Sequence, residues 1–276
     1  MTLSVANLVL TGFLFLYLYI ISSEDFEMKE KFLTEINENL KIYQLKNGLT
    51  FTTDAYLLYA YMKKRPNSVA VDFGSGTGVI SLLCAVKNKY KTIYAAEIQK
   101  DFCDLIQENV VYNKLENKVI PCHCDISEIS ADYFASQVDV VFSNPPYMKD
   151  NSGKSNLFDE KNIARHEIHG TIYDFCVSAS KILKHGGYFY AVYRPERLCD
   201  LLCGLRDANI EPKRITFVHA RENLPPPLVL LEAKKGANPS VFVTKPLIMY
   251  KNGTEYTDDL KYIYENGEFN EQYKKS

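Results

Sequence analysis

Short apolar runs bounded by turn residues recur along this chain and alternate with amphipathic stretches. Val69–Phe73, Ile93–Glu97, Lys118–Cys124, Val138–Ser143, Tyr188–Tyr193, Ile215–His219 and Leu228–Ala233 read as strands. Helical patterns separate most of them: Val79–Val86, a stretch capped by Asp101 and running to Asn113, Thr171–Leu183 closed by His185-Gly186-Gly187, and Pro195–Ala208. Strands alternating with helices predict an α/β fold with a doubly wound, mostly parallel sheet. Ahead of the sheet, Ile42–Leu45 and Thr50–Thr52 flank Asn47-Gly48 and predict a hairpin. Thr53-Asp54 then reads as the cap of a helix over Ala55–Lys63. Val241–Tyr250, the Asn252-Gly253 turn and Asp258–Tyr264 form a short tail.

The first stretch departs from this pattern. Leu3–Ile21 carries no charge, and its length is close to the roughly 20 residues that cross a bilayer. It is read either as a membrane anchor or as an upstream start placed ahead of a true initiator at Met28. The expected divisions are a leader over 1–27, a leading hairpin and helix over 28–67, a core over 68–236 and a C-terminal extension over 237–276.

Chemistry enters at the strand ends. Gly74-Ser75-Gly76-Thr77-Gly78 follows the first strand directly, the strand–glycine turn–helix layout of a nucleotide-binding unit. Its spacing is G-x-G-x-G rather than the G-x-G-x-x-G of the dinucleotide fingerprint, which argues against a nicotinamide dehydrogenase. Glu97 ends the next strand about 20 residues on, where such units place an acid on ribose hydroxyls. Asn144-Pro145-Pro146-Tyr147 ends the Val138–Ser143 strand. The Asn144 side-chain oxygen and the Pro145 carbonyl can accept both hydrogens of a planar NH2 group. Locked φ angles at the two prolines hold those acceptors still, and Tyr147 offers a face for a base, a contact worth about 1–3 kcal/mol. The three features in this order point to methyl transfer from S-adenosyl-L-methionine to an amino or amide nitrogen.

Around that donor, Gly74, Ser75, Gly76 and Gly78 are expected along the methionine part, with Asp72 near its amino group. Glu97 and Ile98 are expected at the ribose, and Asp125 and Ile126 at the adenine. The lesser reading of Asp72 is an acid tying the loop, whereas Asp125 reads equally as the cap of Asp125-Ile126-Ser127-Glu128. Thr53-Asp54 reads as a helix cap or as a contact to the donor's carboxylate side.

Charge and cysteines narrow the picture. The net charge is −2 over 276 residues, so a nucleic-acid partner must be held by local patches. Lys149, Lys154, Lys161 and Arg165 lie on the long loop after Tyr147, and Arg194, Arg197, Lys213 and Arg214 are read as an extension of it. Seven cysteines, mostly within apolar or helical runs, suggest buried, reduced thiols. Cys122-His123-Cys124 lacks further ligands at zinc spacing, so no metal is expected.

Phe73–Gly78, Glu97, Asp125 and Asn144–Tyr147 resemble the motifs of class I amino-methyltransferases. Lys46–Ala55, Ala164-Arg165-His166-Glu167, Leu230–Gly236, Lys245–Tyr250 and Gly253–Thr257 narrow the resemblance to the bacterial tRNA1(Val) adenine-N6-methyltransferase family, over about Leu40 to Tyr264. The resemblance implies a Rossmann-like, seven-stranded sheet with its last strand antiparallel. It also implies methylation of an adenine N6 in tRNA beside the anticodon, at position 37, by a cytoplasmic monomer. Related turns serve guanine-N2 enzymes of ribosomal RNA and enzymes that methylate a protein glutamine amide. Of another class is a membrane-tethered binding protein that keeps only the fold.

Overall fold

A computed structural model describes residues 30–46, 52–145, 171–251 and 253–274. The Asn47-Gly48 turn, the Thr50-Phe51 run, residues 1–27, Pro146, Tyr147, the four loop cations and Asn252 therefore lie outside the described residues. Among the described residues no helix is long and apolar enough to cross a membrane.

Strands β1 (Lys31–Asn37) and β2 (Leu40–Leu45) form an antiparallel hairpin. It lies ahead of the expected hairpin, whose Asn47-Gly48 turn falls outside the described residues. Its turn is Glu38-Asn39, where the Asn37 side chain accepts from the Asn39 amide, a local bond typical of Asx turns. Helix α1 (Thr53–Tyr61) begins two residues sooner than predicted. Thr52 is its N-cap residue, so Thr53 and Asp54 lie inside the first turn rather than capping it.

The main sheet then builds in sequence: β3 (Val69–Phe73), α2 (Val79–Val86), β4 (Thr92–Glu97), α3 (Lys100–Tyr112), β5 (Val119–His123) and β6 (Val138–Ser143). After the long loop come α4 (Ile172–Ile182), β7 (Leu183–Tyr193), α5 (Leu198–Asp207), β8 (Ile210–His219) and β9 (Leu228–Lys235). Short strands β10 (Phe242–Val243) and β11 (Leu247–Ile248) and helix α6 (Asp258–Asn266) complete the chain. The strand order is β10-β8-β9-β7-β6-β3-β4-β5, with β11 also on β8. Only β9 runs antiparallel to its sheet neighbours, β7 and β8.

Seven strands carry the doubly wound pattern, but among the described residues the sheet has nine. The two extra strands come from the tail, which seals the outer edge of β8 that would otherwise expose unpaired backbone. Asp101 sits in the first turn of α3 instead of capping it. The Gly186-Gly187 pair ends no helix: α4 stops at Ile182 and both glycines lie inside β7. A Cβ on Gly187 would meet the Lys184 and Asp139 carbonyls at 2.9 and 3.1 Å, so the β6–β7 contact there admits no side chain.

Alternation along the strands sends side chains to opposite layers. On β6, Phe142 packs with α1, α2 and the tail, while Val141 packs with α4 and α5. The helical cysteines divide by the same logic. Cys84 and Cys176 are buried, whereas Cys199 and Cys203 are exposed, because α5 turns Leu201, Gly204 and Leu205 inward.

A buried ion pair joins the ends of the chain to the sheet. Arg214 on β8 donates to Glu232 on β9 at 2.8 Å, to the Tyr61 carbonyl at 2.8 Å and to the Tyr273 carbonyl at 3.0 Å. Its guanidinium lies 3.7 Å from the Tyr61 ring centroid. At 3% exposure it is not part of a phosphate-binding patch. Arg197 is engaged by Asp200 and Arg194 reaches the Pro227 carbonyl. Truncating one partner of a buried pair strands the other charge and costs about 3–5 kcal/mol. Arg214→Leu should fall near the lower end of that range in urea unfolding, because Lys63 still faces Glu232 at 2.8 Å. An unchanged midpoint would show that the pair does not hold the tail.

Candidate active site at the carboxyl edge of the sheet

From β3 the chain winds outward through β4 and β5, then returns to place β6 on the other side of β3. The reversal leaves a crevice at the carboxyl ends of β3 and β6, where open α/β sheets bind ligands. Register brings the predicted residues to this edge. Phe73 pairs with Ala96 on one side and Ser143 on the other, so the glycine turn, Glu97 and Asn144 leave adjacent strands at nearly one level. With strands about 4.8 Å apart, Glu97 and Asn144 stand roughly 10 Å from each other across the turn.

The turn is held open by its own backbone. Gly74, Gly76 and Gly78 all take positive φ, at 68°, 56° and 78°, a region that L side chains enter at a cost. At Gly78 a Cβ would also lie 3.1 Å from two Ile106 carbons, so α2 and α3 close against each other only with glycine there. The Gly74 and Ser75 amides donate to the Ala96 carbonyl at 2.9 and 3.0 Å. The Ser75 hydroxyl donates to the Asp72 carbonyl at 2.9 Å.

Glu97, 5% exposed, has internal partners that its position at a strand end does not disclose. One carboxylate oxygen accepts from the Gly76 amide at 2.8 Å, the other from the Gln99 amide at 2.9 Å. These bonds fix the orientation of the Glu97 carboxylate at the mouth of the glycine turn. Ile98 is half-buried, and its carbonyl accepts from His123 Nε2 at 3.0 Å.

Asp72 behaves as the tying acid. It is 1% exposed and accepts from the Ser81 hydroxyl of α2 at 2.7 Å. Burial pushes its carboxyl up to about 7, with Glu97 pushing the same way and Ser81 opposing. Asp125 is half-buried and accepts from the Ser127 amide at 2.8 Å, which makes it the cap of a turn; Ile126 beside it is buried. Asn144 is half-buried and Pro145 buried. Ser143, just before them, donates to the Phe73 carbonyl at 2.8 Å and binds the ends of β6 and β3 together.

Ser81, Ser143 and Asn109 were not legible as site residues. Asn109, fully buried on α3, donates to the Thr77 carbonyl at 3.2 Å and the Tyr43 carbonyl at 3.1 Å, and accepts from the Tyr43 amide at 2.6 Å. One amide side chain thus links the glycine turn to the leading hairpin. An Asn inside an amphipathic helix was its only sequence signal. Among the described residues no group of three or more His, Cys, Asp or Glu side chains is placed to hold a metal ion.

The donor set suits S-adenosylmethionine: acceptors for a ribose diol and an exocyclic amine at β4 and β5, and a glycine turn opening α2, whose N-terminal dipole favours a carboxylate. The unfolded chain ionises Asp72 above about pH 4, whereas the folded protein keeps its proton up to about pH 7. Stability from this group therefore falls as pH rises through that window. Asp72→Asn should flatten this part of the urea midpoint profile between about pH 4.5 and 7.5; an unaltered slope would show that Asp72 is not the group responsible.

Residues 51–200 match the methyltransferase small domain family. A tRNA1(Val) (adenine(37)-N6)-methyltransferase of Parabacteroides distasonis is 26% identical over 226 residues, covering 81% of this chain and 94% of that protein. A protein of the same name from Phocaeicola vulgatus is 26% identical and covers 82% of this chain and 94% of its own length. Among solved structures, a predicted O-methyltransferase of Agrobacterium tumefaciens superposes with a TM-score of 0.62 at 18% identity, over 79% of this chain and 98% of that one. Methanocaldococcus jannaschii TYW2, in complex with AdoMet, gives 0.51 at 17% identity over 74% and 85%. The chain belongs to the methyltransferase small domain family, as an enzyme with a Rossmann-like class I fold whose cofactor is S-adenosyl-L-methionine.

Proposed function

We propose that this enzyme methylates the N6 amine of an adenine in tRNA, at the base beside the anticodon. The observation that carries the reading is the position of Asn144, one strand from the glycine turn and at the level of Ser143–Phe73. The family-narrowing motifs and relatives named for that reaction, aligned over most of this chain, support the choice of base.

Bound S-adenosylmethionine supplies an electrophilic methyl carbon on a sulfonium. Gly74, Ser75, Gly76 and Gly78 admit its methionine end close to the backbone, and Asp72 fixes the strand below them through Ser81. Glu97 accepts from the ribose hydroxyls beside Ile98, and Asp125 accepts from the adenine amine over Ile126. At the target, Asn144 Oδ1 and the Pro145 carbonyl each accept one hydrogen of the base's NH2. That grip draws the nitrogen lone pair out of conjugation with the ring and toward the methyl carbon. Pro146 and Tyr147 are assigned the rigid backing and the stacking face, and Lys149, Lys154, Lys161 and Arg165 the phosphates nearby. Rate comes from orientation and from fixed dipoles around a charge that moves during transfer. The product ammonium loses its proton to water, so no general base is required. A stacked target must be extruded, and an unpaired loop base is extruded at least cost.

Glu97→Ala should weaken donor binding by about tenfold to a hundredfold in calorimetric titration, from the loss of about 1.5–3 kcal/mol of charge-assisted bonds. An unchanged affinity would remove Glu97 from the donor site. Asn144→Ala should bind donor within about threefold of wild type yet lose about 10²–10³ in turnover, the scale of one lost polar contact to a transition state. The substrate is tested by nucleoside mass spectrometry of tRNA from cells lacking the gene, with purified enzyme added back. Restored N6-methyladenosine is the expected result; tRNA whose N6-methyladenosine is the same with and without the gene would overturn the reading.

A further inference from the structure

Three cations gather around one ring at the opposite end of the sheet. The Arg65 guanidinium carbon lies 4.1 Å from the Tyr188 ring centroid, Lys234 Nζ 5.5 Å and Lys63 Nζ 5.7 Å. Tyr188 and Lys234 are cross-strand partners on β7 and β9, and Lys63 and Arg65 come from the segment after α1. All four side chains are half-buried, and exposed Lys64 lies between the two loop cations.

The group is short of negative charge. Among the described residues the carboxylate that meets it is Glu232, 3% exposed and already bound by Arg214 and Lys63. Arg65 and Lys234 enter no ion pair among the described residues, and Arg65 Nε is buried with no hydrogen-bond partner. The ring faces of aromatic residues attract cations, but like charges at this spacing repel. An oxyanion would relieve that repulsion. A guanidinium fork flanked by two ammonium groups is the donor set that phosphate takes.

We infer that Lys63, Arg65 and Lys234 around Tyr188 form a phosphate-binding site that holds the backbone of the substrate RNA away from the target base. The inference rests on the RNA reading above. Distance allows it. Tyr188 pairs with Val140 and Ala191 with Ser143, so the ring lies four residues, roughly 13 Å, below the level of Asn144 along the strands. A polynucleotide with one base in the crevice places many phosphates within that span, since duplex RNA or DNA carries a charge every few ångströms.

The test uses the full chain carrying Arg65→Gln and Lys234→Gln together, with Lys63 kept for Glu232. Filter binding is measured against a full-length tRNA transcript and an anticodon stem-loop oligonucleotide at several KCl concentrations. The expected result is an affinity for the full transcript at least tenfold weaker, with a salt slope shallower by about 1–2. Stem-loop affinity falls with it, donor affinity stays within twofold, and Arg65→Lys with Lys234→Arg restores binding of both RNAs. Transcript affinity within twofold of wild type overturns the site. So does equal weakening toward both RNAs and the donor, which would mark a structural role. Calorimetry with tripolyphosphate alone separates the other source of the same chemistry. Binding lost in the double variant while transcript affinity is unchanged would assign the site to a free phosphate and overturn the RNA assignment. Wild-type enzyme that binds the transcript through this site but methylates no adenine would refute the proposed reaction and leave this inference standing.

Discussion

The Gly76 amide donates to the Glu97 carboxylate across the ends of β3 and β4, and the candidate site is arranged around that bond. It fixes a glycine turn with little conformational preference of its own against an acid whose strand is set by the parallel register. The Ser143 hydroxyl does the same on the other flank, binding β6 to the Phe73 carbonyl. Between the two bonds the turn has one position relative to Asn144. Such preorganisation is what an orientation-limited transfer needs.

Two further devices keep the surrounding layers from drifting. Asn109 and Asn113, four residues apart on α3, present their amides to the Tyr43 and Lys41 backbone like an extra strand. They close the outer edge of β2 and tie the hairpin to the turn through Thr77. On the far side Arg214 collects carbonyls from α1 and the tail around its pair with Glu232. Removing one member of such a network leaves its buried partners unsatisfied, which costs more than the bond itself contributes. The leading hairpin and the C-terminal tail are therefore built into the same packing that sets the sheet.

The patterns that were legible before any coordinates are those with a local cause. Val138–Ser143 was read at its observed limits because a short apolar run ending in Asn-Pro has one simple interpretation. Gly74 to Gly78 was read as a turn because three closely spaced glycines after a strand suit positive φ. Errors arose where local signals had two outcomes. His185-Gly186-Gly187 resembles a helix stop, but the close approach of Asp139 and Lys184 uses the second glycine inside a strand. Arg214 looks like one more surface cation, yet its neighbours across β9 and α1 bury it. Asp72 admits two roles from its position alone, because the Ser81 hydroxyl that ties it lies nine residues away, in the first turn of the next helix.

The sequence by itself determined the alternation of strand and helix, the glycine turn, and the presence of an amide followed by two prolines at a strand end. Each follows from periodicity or from backbone restrictions of individual residues. The tertiary structure alone decided which strands lie beside β3, and hence that Glu97 and Asn144 flank one crevice. It also decided that the tail closes β8 and that Lys63, Arg65 and Lys234 meet at Tyr188. Those outcomes depend on contacts between residues tens to hundreds of positions apart, and no local spacing encodes them.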